Sequence, residues 1–152
     1  KYLNAGISIG TLIDQNTRLR DGGVFVEMFG MKVTASRAPA TLWNYCRSNG
    51  IPAKVIYGTT LRSGKTLTPK MEFLSKDYAE YPDETAIIQE LTAITEKYVR
   101  SYPEQYLWLY QRFKYIPRDI APELRSRYPF YAKEPDNKFF SRRAEVHNKW
   151  KQ

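Results

Sequence analysis

Alternating apolar and polar positions near the start of the chain predict a β-strand. In "GISIGTLID", residues 6–14, isoleucines at positions 7, 9 and 13 alternate with small or polar neighbours, and the pattern ends at Asp14-Gln15. The polar stretch that follows predicts a loop, and its closing Gly22-Gly23 permits a turn of positive φ before a second short strand at 24–26. The first part of the chain is therefore predicted to be β-structure.

Two later segments have the pattern of a hairpin. "IPAKVIYGTTLR" and "KTLTPKMEFL" flank Ser63-Gly64, a dipeptide typical of tight turns. Pro69 has no amide proton to donate to a neighbouring strand, so the second arm of the hairpin is expected at a sheet edge.

Apolar residues at helical spacing follow each of these β-regions. A helix is predicted from Ser36, which can cap it, to Gly50, which ends it, and Pro39 is tolerated in its first turn. Asp83 opens a second predicted helix, whose apolar stripe consists of Ile87, Leu91, Ile94 and Tyr98.

The aromatic stretch "YPEQYLWLYQRFK", residues 102–114, predicts a third helix over 103–113, because Ser101 and Glu104 have the spacing of a capping box. At about 100° per residue, one side of this helix is a core face made of Tyr106, Leu109, Tyr110 and Phe113. The other side carries the amide, indole and guanidinium groups that suit an anionic or oxygen-rich ligand, from Gln105, Trp108 and Arg112. Taken alone, these residues favour a plainer interpretation, in which Trp108 fills the core and Arg112 and Lys114 are solvated charges at the helix end.

The order strand, helix, hairpin, helices predicts an α/β domain with a mixed sheet flanked by helices. Because the chain starts at a predicted strand, part of the sheet is expected upstream of Lys1. We assign residues 1–117 to this domain. The polar and basic residues 118–152, with prolines at 122, 129 and 135, are predicted to be a surface tail with short helical turns.

Charge narrows the classes of partner. The chain of 152 residues has 24 Lys and Arg against 16 Asp and Glu, a net charge of +8, and it has 12 tyrosines. This balance favours anionic partners such as phosphates, anionic lipid, an acidic carrier protein or nucleic acid. Cys46 is the single cysteine, which excludes an intrachain disulfide and a structural zinc cluster. No run of eighteen apolar residues is present.

Three individual residues are candidates for a catalytic or binding role, but each also has a simpler structural explanation. Asp14 at a predicted strand end has the position of many working residues in α/β proteins, although a side-chain turn with its own backbone explains it equally well. His147 is the single histidine and is more simply a surface residue than a general base, since no orienting partner lies near it in the sequence. Cys46, beside Leu42 and Trp43, is expected to be a buried small apolar residue.

Several motifs together resemble one known family. The string "LIDQ…GGVFVEMFGMKVTAS…PATL…GIPAKV", followed by "PEQYLWLYQRFK", resembles the carboxyl-terminal half of the lipid A biosynthesis lauroyl/myristoyl acyltransferases. The resemblance covers most of residues 6–117. Where that family usually has a His-Arg-Arg run, this chain has Tyr110-Gln111-Arg112, and it has Met28 where the family often has Phe.

The resemblance implies a glycerolipid-acyltransferase-like fold and transfer of a fatty acyl group from an acyl carrier protein thioester to a hydroxyl of a lipid A precursor, with no further cofactor. It implies work at the cytoplasmic face of the bacterial inner membrane, with acyl carrier protein, a phosphorylated glycolipid and the anionic membrane surface as partners. The family's general base is a His-x-x-x-x-Asp motif, which is absent here because Gln152 stands five positions after His147. The family's motif is expected to precede Lys1, which implies that this chain alone is inactive.

The resemblance also implies which residues bind substrate. They are Asp14 and Gln15 beside the acceptor pocket, Phe29 and Gly30 after the next strand, and, from the terminal signature, Glu104, Gln105, Trp108, Arg112 and Lys114. In this interpretation aromatic residues meet the lipid interface while Arg112 and Lys114 reach phosphates. No catalytic residue and no metal ligand is assigned within the chain.

Two other functions stay open at this point. One is a basic, aromatic-rich module that binds nucleic acid, with tyrosines stacking on bases, although Tyr106 and Tyr110 fall on a predicted core face. The other is a catalytically silent acyltransferase-like subunit that only binds or scaffolds.

Overall fold

The computed structural model describes residues 2–140, so His147 and the rest of 141–152 lie outside the described residues. Its main elements are two antiparallel hairpins and two long helices, in the order β1 (Gly23–Met28), β2 (Met31–Ser36), α1 (Ala38–Ser48), β3 (Ile56–Ser63), β4 (Thr66–Phe73) and α2 (Glu84–Ser101). Two four-residue helices follow, α3 (Pro122–Arg125) and α4 (Asn137–Phe140). Single 3-10 turns occur at Leu3–Ala5, Leu19–Asp21, Tyr78–Glu80 and Pro103–Gln105.

The core lies between the β1–β2 hairpin and α2. Alternate residues of the hairpin point to the helix, and the apolar stripe of α2 meets them; the buried residues are Val26, Met28, Val33, Ala35, Ile87, Ile88, Leu91 and Val99. The Asp83 side chain accepts a hydrogen bond from the Ala86 backbone N–H at 2.8 Å, so it caps α2 as the sequence predicts. Helix α1 adds Trp43 and Cys46 to the buried set.

The β3–β4 hairpin lies on the second half of α2. Ser63 pairs with Thr66 across the turn, and Pro69 pairs with Thr60 in a sheet that has two strands. Tyr57 stacks on Tyr98 with ring centroids 5.9 Å apart, which fixes one face of the hairpin to the helix. The prediction of this hairpin is confirmed.

The α/β class is confirmed, but among residues 2–140 the β-structure forms two small antiparallel sheets and not one mixed sheet. The strand predicted over 6–14 is wrong, because the segment is extended but pairs with no strand in the described part of the chain. Strand β2 was not predicted. Its "MKVTAS" alternates apolar and polar residues, but Val33, Thr34 and Ala35 are all buried in the structure.

The helix predicted over 103–113 is also wrong. Helix α2 continues to Ser101, whose hydroxyl donates to the Lys97 carbonyl at 3.0 Å and so does not cap a new helix. Only the 3-10 turn Pro103–Gln105 forms, and Tyr106 after it is extended. Tertiary contacts of the following residues with β2 hold this segment in turns, against its local helix signal.

Residues 118–140 lie partly inside the fold. The Tyr128 hydroxyl donates to the Lys32 carbonyl and accepts from the Lys32 backbone N–H, both at 2.9 Å. Phe139 is buried and packs on Phe25 and Tyr115. The short helical turns expected after Pro117 are confirmed, but the interpretation of this segment as a surface tail is wrong for Tyr128 and Phe139. The domain boundary at 117 stays a prediction.

Candidate functional site

Two adjoining clefts lie between the extended segment 7–14 and strand β3. One is lined mainly by apolar residues and has a volume of about 620 Å³, and the other contains Asp14 and has a volume of about 270 Å³. Both are lined by Thr11, Val55, Ile56 and Gly58, so they share one wall. A volume of about 300–1,000 Å³ is usual for a small-molecule site.

Apolar side chains from three parts of the chain line the larger cleft, which we call the apolar cleft; they include Ile7, Ile9, Leu42, Trp43, Cys46 and Ile51. The Trp43 indole N–H donates to the Ala53 carbonyl at 3.0 Å, which fixes the segment between α1 and β3 as one wall of the cleft. Ser8, Thr11 and Lys54 also line this cleft, but apolar side chains outnumber them, so the apolar cleft suits a hydrocarbon chain.

The smaller cleft, the polar cleft, contains Asp14. Thr11, Tyr57, Thr59 and Thr95 add hydroxyl groups to its wall. Burial raises the pKa of the Tyr57 phenol, and the charge of Asp14 acts in the same direction, so this phenol holds its proton at neutral pH. The polar cleft therefore presents a carboxyl group beside several hydroxyl groups, a set that binds sugar or alcohol hydroxyls.

Arg112 holds the loop that carries Asp14. Its guanidinium donates to the Thr34 carbonyl of β2 at 2.6 Å and to the Ile13 carbonyl at 3.3 Å, and a longer contact of 3.5 Å reaches the Asn16 side chain. The Arg112 residue is 3% exposed. The interpretation of Arg112 as a solvated helix-end charge is therefore wrong.

Asn16 ties the same loop to the segment around Arg112. Its backbone N–H donates to the Tyr110 hydroxyl at 2.6 Å, and its side-chain amide donates to the Gln111 carbonyl at 2.8 Å. Burial lowers the pKa of the Arg112 guanidinium, while Tyr106, Tyr110 and Asp14 act in the opposite direction. Such a buried cation is stable because backbone carbonyl oxygens accept hydrogen bonds from its N–H groups.

Phe29 and Gly30 form the turn between β1 and β2, with φ of 53° and 70°. Phe29 is the one non-glycine residue with positive φ among residues 2–140. Its backbone N–H donates to the Glu96 carboxylate at 2.7 Å, and its ring lies 6.4 Å from that of Trp108. These contacts bring three of the predicted site residues together, at a place that lines neither cleft described above.

The remaining predicted residues lie elsewhere. The Gln105 side chain accepts from the Arg62 N–H at 2.8 Å and donates to the Arg62 carbonyl at 3.1 Å, so it holds the tip of the β3–β4 hairpin. Glu104 is exposed beside it. Lys114 lies 5.7 Å from the Tyr115 ring centroid, and its carbonyl accepts from the Lys133 backbone N–H.

The structure thus joins the loop of Asp14 and Gln15 to Arg112, and joins Phe29 and Gly30 to Trp108. It does not bring the two groups or Lys114 into one site. Sequence reasoning missed the cleft walls and Asn16, whose contacts span 94 and 95 residues and leave no local pattern.

The Trp108 side chain is half exposed, and its indole N–H donates to the Pro103 carbonyl at 2.7 Å, so this donor is already used within the chain. Among residues 2–140 no group of three His, Cys, Asp or Glu side chains has the arrangement of a metal site. In the same residues no helix has the length and apolar character needed to cross a bilayer.

Comparison with known proteins gives one family. The family model described as bacterial lipid A biosynthesis acyltransferase matches residues 1–115. No curated protein and no solved structure matches the chain. The match covers most of the 152 residues and agrees with the motifs around Asp14 and Trp108. The chain belongs to the bacterial lipid A biosynthesis acyltransferase family.

Proposed function

We propose that this chain is the part of an acyltransferase that holds both substrates while a fatty acyl group moves from an acyl carrier protein thioester to a hydroxyl of a lipid A precursor or a related glycolipid. The observation that carries the proposal is the pair of adjoining clefts, one apolar and one rich in hydroxyl groups, with a common wall at Thr11 and Ile56. The family match supports acyl transfer as the reaction class.

In this proposal the acyl chain occupies the apolar cleft and its thioester end lies at the common wall. The acceptor hydroxyl enters the polar cleft, where the Asp14 carboxylate accepts a hydrogen bond from it. Tyr57 and the neighbouring threonines contact other oxygens of the acceptor. Arg112 contributes indirectly, because it fixes Ile13 next to Asp14.

The chemistry needs a general base, and by the family resemblance we propose a histidine of a His-x-x-x-x-Asp pair that precedes Lys1. The base removes the acceptor proton as the hydroxyl oxygen attacks the thioester carbonyl. The carbon–sulfur bond then breaks, and the carrier thiolate leaves and takes up the proton. The 152 residues alone would then bind substrates without turnover.

The net charge of +8 supports the proposed partners. Acyl carrier protein is acidic, the acceptor carries phosphates, and the cytoplasmic leaflet of the bacterial inner membrane is anionic, so each would be drawn to a basic protein. We propose a glycerolipid-acyltransferase-like fold for the whole domain. Contact of Gln15, Phe29, Gly30, Glu104, Gln105, Trp108, Arg112 or Lys114 with substrate stays a prediction.

The test of this function is Asp14→Asn in the full-length protein. We expect kcat/KM for acyl transfer to fall about 10- to 100-fold, because a charged acceptor of the substrate hydrogen bond becomes a neutral amide. Transfer is measured from labelled acyl carrier protein to a lipid A precursor in detergent micelles.

The matched control is Asp119→Asn, which changes an exposed carboxylate that lines neither cleft. It should leave kcat/KM within about twofold. Equal rates for the Asp14 variant and the parent protein would contradict the role of the polar cleft, and no transfer by the parent would contradict the proposed reaction.

A further inference from the structure

One face of the β3–β4 hairpin is exposed among residues 2–140, and only its Ile56 and Gly58 end borders the clefts beside segment 7–14. Cross-strand pairs of an antiparallel sheet share a face, and this face, called the outer face, consists of Ile56, Gly58, Thr60 and Arg62 with their partners Phe73, Met71, Pro69 and Leu67. The opposite face carries Tyr57 and Glu72, which contact α2 through Tyr98 and Lys97.

The outer face is apolar and exposed. Met71 is 74% exposed, Phe73 is 65% exposed, and Ile56 and Leu67 are each about half exposed. Contiguous apolar residues of this kind on a protein surface usually mark a site of contact with a protein or a membrane. The outer face also adjoins the apolar cleft, because Ile56 and Gly58 line that cleft.

Charge distinguishes the kinds of partner. The outer face has no acidic residue, and the single acid of the two strands, Glu72, is on the opposite face in an ion pair with Lys97. Arg62 and Lys65 stand at the hairpin tip, and neither has an ion pair within residues 2–140. Gln105 clamps the Arg62 backbone, so the tip is held in place.

We propose that the outer face docks on an anionic lipid surface. Its four large apolar side chains enter the interface while Arg62 and Lys65 reach lipid phosphates at the tip. An acidic protein would be recognised mainly through cations spread over the patch, whereas here the cations are confined to one end of an apolar face. Docking in this orientation opens the apolar cleft toward the bilayer, from which a lipid chain could enter.

The inference rests on the proposed function in one respect, because a lipid acceptor gives the protein a reason to meet a membrane. The two are tested separately, since vesicle binding needs no acyl transfer, and transfer in detergent micelles needs no vesicle. Failure of vesicle binding would not contradict the proposed acyl transfer, and failure of acyl transfer would not contradict docking on lipid.

The first experiment measures co-sedimentation of the purified protein with vesicles of phosphatidylcholine and phosphatidylglycerol. Replacing Met71 and Phe73 together by Ser should weaken binding about a hundredfold, because each side chain contributes about tenfold when it is buried in lipid. Arg62→Gln with Lys65→Gln should weaken binding about fivefold per cation, and this loss should vanish on pure phosphatidylcholine.

The control is Leu109→Ser, which removes an apolar side chain that is 91% exposed but lies outside the outer face. Binding unchanged by this substitution supports the proposal. If Leu109→Ser weakens binding as much as the Met71 and Phe73 change, or if the latter instead turns a dimer into a monomer in light scattering, or abolishes binding of acyl carrier protein with vesicle binding intact, the proposal is overturned.

A second measurement does not depend on the stability of those variants. Met71→Cys is labelled with an environment-sensitive fluorophore, in parallel with Leu109→Cys, and Cys46 is buried and so reacts slowly. Emission from position 71 should shift to shorter wavelength when phosphatidylglycerol vesicles are added, while emission from position 109 should not. No shift at 71 would refute lipid docking through this face.

Discussion

At the scale of single residues, Arg112 shows how a cation predicted to meet solvent or substrate can instead hold the backbone. The carbonyls of Thr34 and Ile13 accept hydrogen bonds from its N–H groups, and Ile13 precedes Asp14 in the chain. No carboxylate bonds to its guanidinium within residues 2–140. The position of the proposed acceptor-binding carboxylate therefore depends on a side chain that does not line either cleft.

Arg112→Met is expected to lower the free energy of unfolding by about 2–4 kcal/mol, because it leaves buried carbonyls without hydrogen-bond partners. Arg112→Lys should recover part of this loss, since an ammonium group keeps the charge but cannot reach all the acceptors at once. Urea unfolding followed by circular dichroism measures both variants.

Arg125→Met provides the control. Arg125 pairs with Glu134 at the surface, and both side chains are about half exposed, so the expected loss is below about 1 kcal/mol. Equal losses of unfolding free energy for Arg112→Met and Arg125→Met would mean that the Arg112 guanidinium does not hold the loop of Asp14 to β2.

At the scale of elements, the β1–β2 turn contains one residue that follows the preference of positive φ for glycine and one that does not. Gly30 has positive φ, as glycine commonly does in such turns, but Phe29 has positive φ as well. Phe29 is held there by Glu96 and by rings on two sides, Trp108 and Phe113. Backbone strain of this kind persists where surrounding contacts determine it.

Gly30→Ala should destabilise the protein by about 1–2 kcal/mol, because a Cβ atom makes left-handed backbone unfavourable. The new Cβ would lie 3.3 Å from the end of the Arg127 side chain, which can move, so the backbone is the main cause. The midpoint of urea unfolding reports the change.

Gly58→Ala is the matched substitution, since Gly58 has ordinary φ and open space around its Cβ position. It should change stability by less than about 0.5 kcal/mol. A loss as large at Gly58 as at Gly30 would show that the β1–β2 turn is not specially constrained.

The same elements show what the sequence could predict. Helix α2 and the β3–β4 hairpin were predicted because their signals are local, a cap at Asp83 and a turn at Ser63-Gly64 between extended segments. The segment 103–113 has an equally clear local signal but forms no helix, because burial of Arg112 and Phe113 against distant residues decides its conformation.

The candidate site was predictable in part for the same reason. Asp14 was identified from its motif and lies in a cleft, whereas Leu42 and Ile51 of the apolar cleft have no pattern that separates them from ordinary core residues. Their common wall with Asp14 exists only because segment 7–14 runs beside β3, a long-range placement.

At the scale of the whole molecule, the clefts, the outer face and the charge fit one arrangement. The apolar and polar clefts share Thr11, Ile56 and Gly58, and Ile56 and Gly58 also belong to the outer face. A lipid chain lying in the apolar cleft would therefore lie beside both the outer face and the polar cleft that contains Asp14. The segment after Pro117 packs against the β1–β2 hairpin through Tyr128 and Phe139, away from this path.

The most direct test of this arrangement is photo-crosslinking of the protein to acyl carrier protein that carries a diazirine-labelled fatty acyl thioester. The account predicts that mass spectrometry will locate the adducts on the apolar cleft, at residues such as Ile7, Leu42 and Ile51. Adducts confined to the exposed Leu107 and Leu109, with none in the apolar cleft, would contradict it.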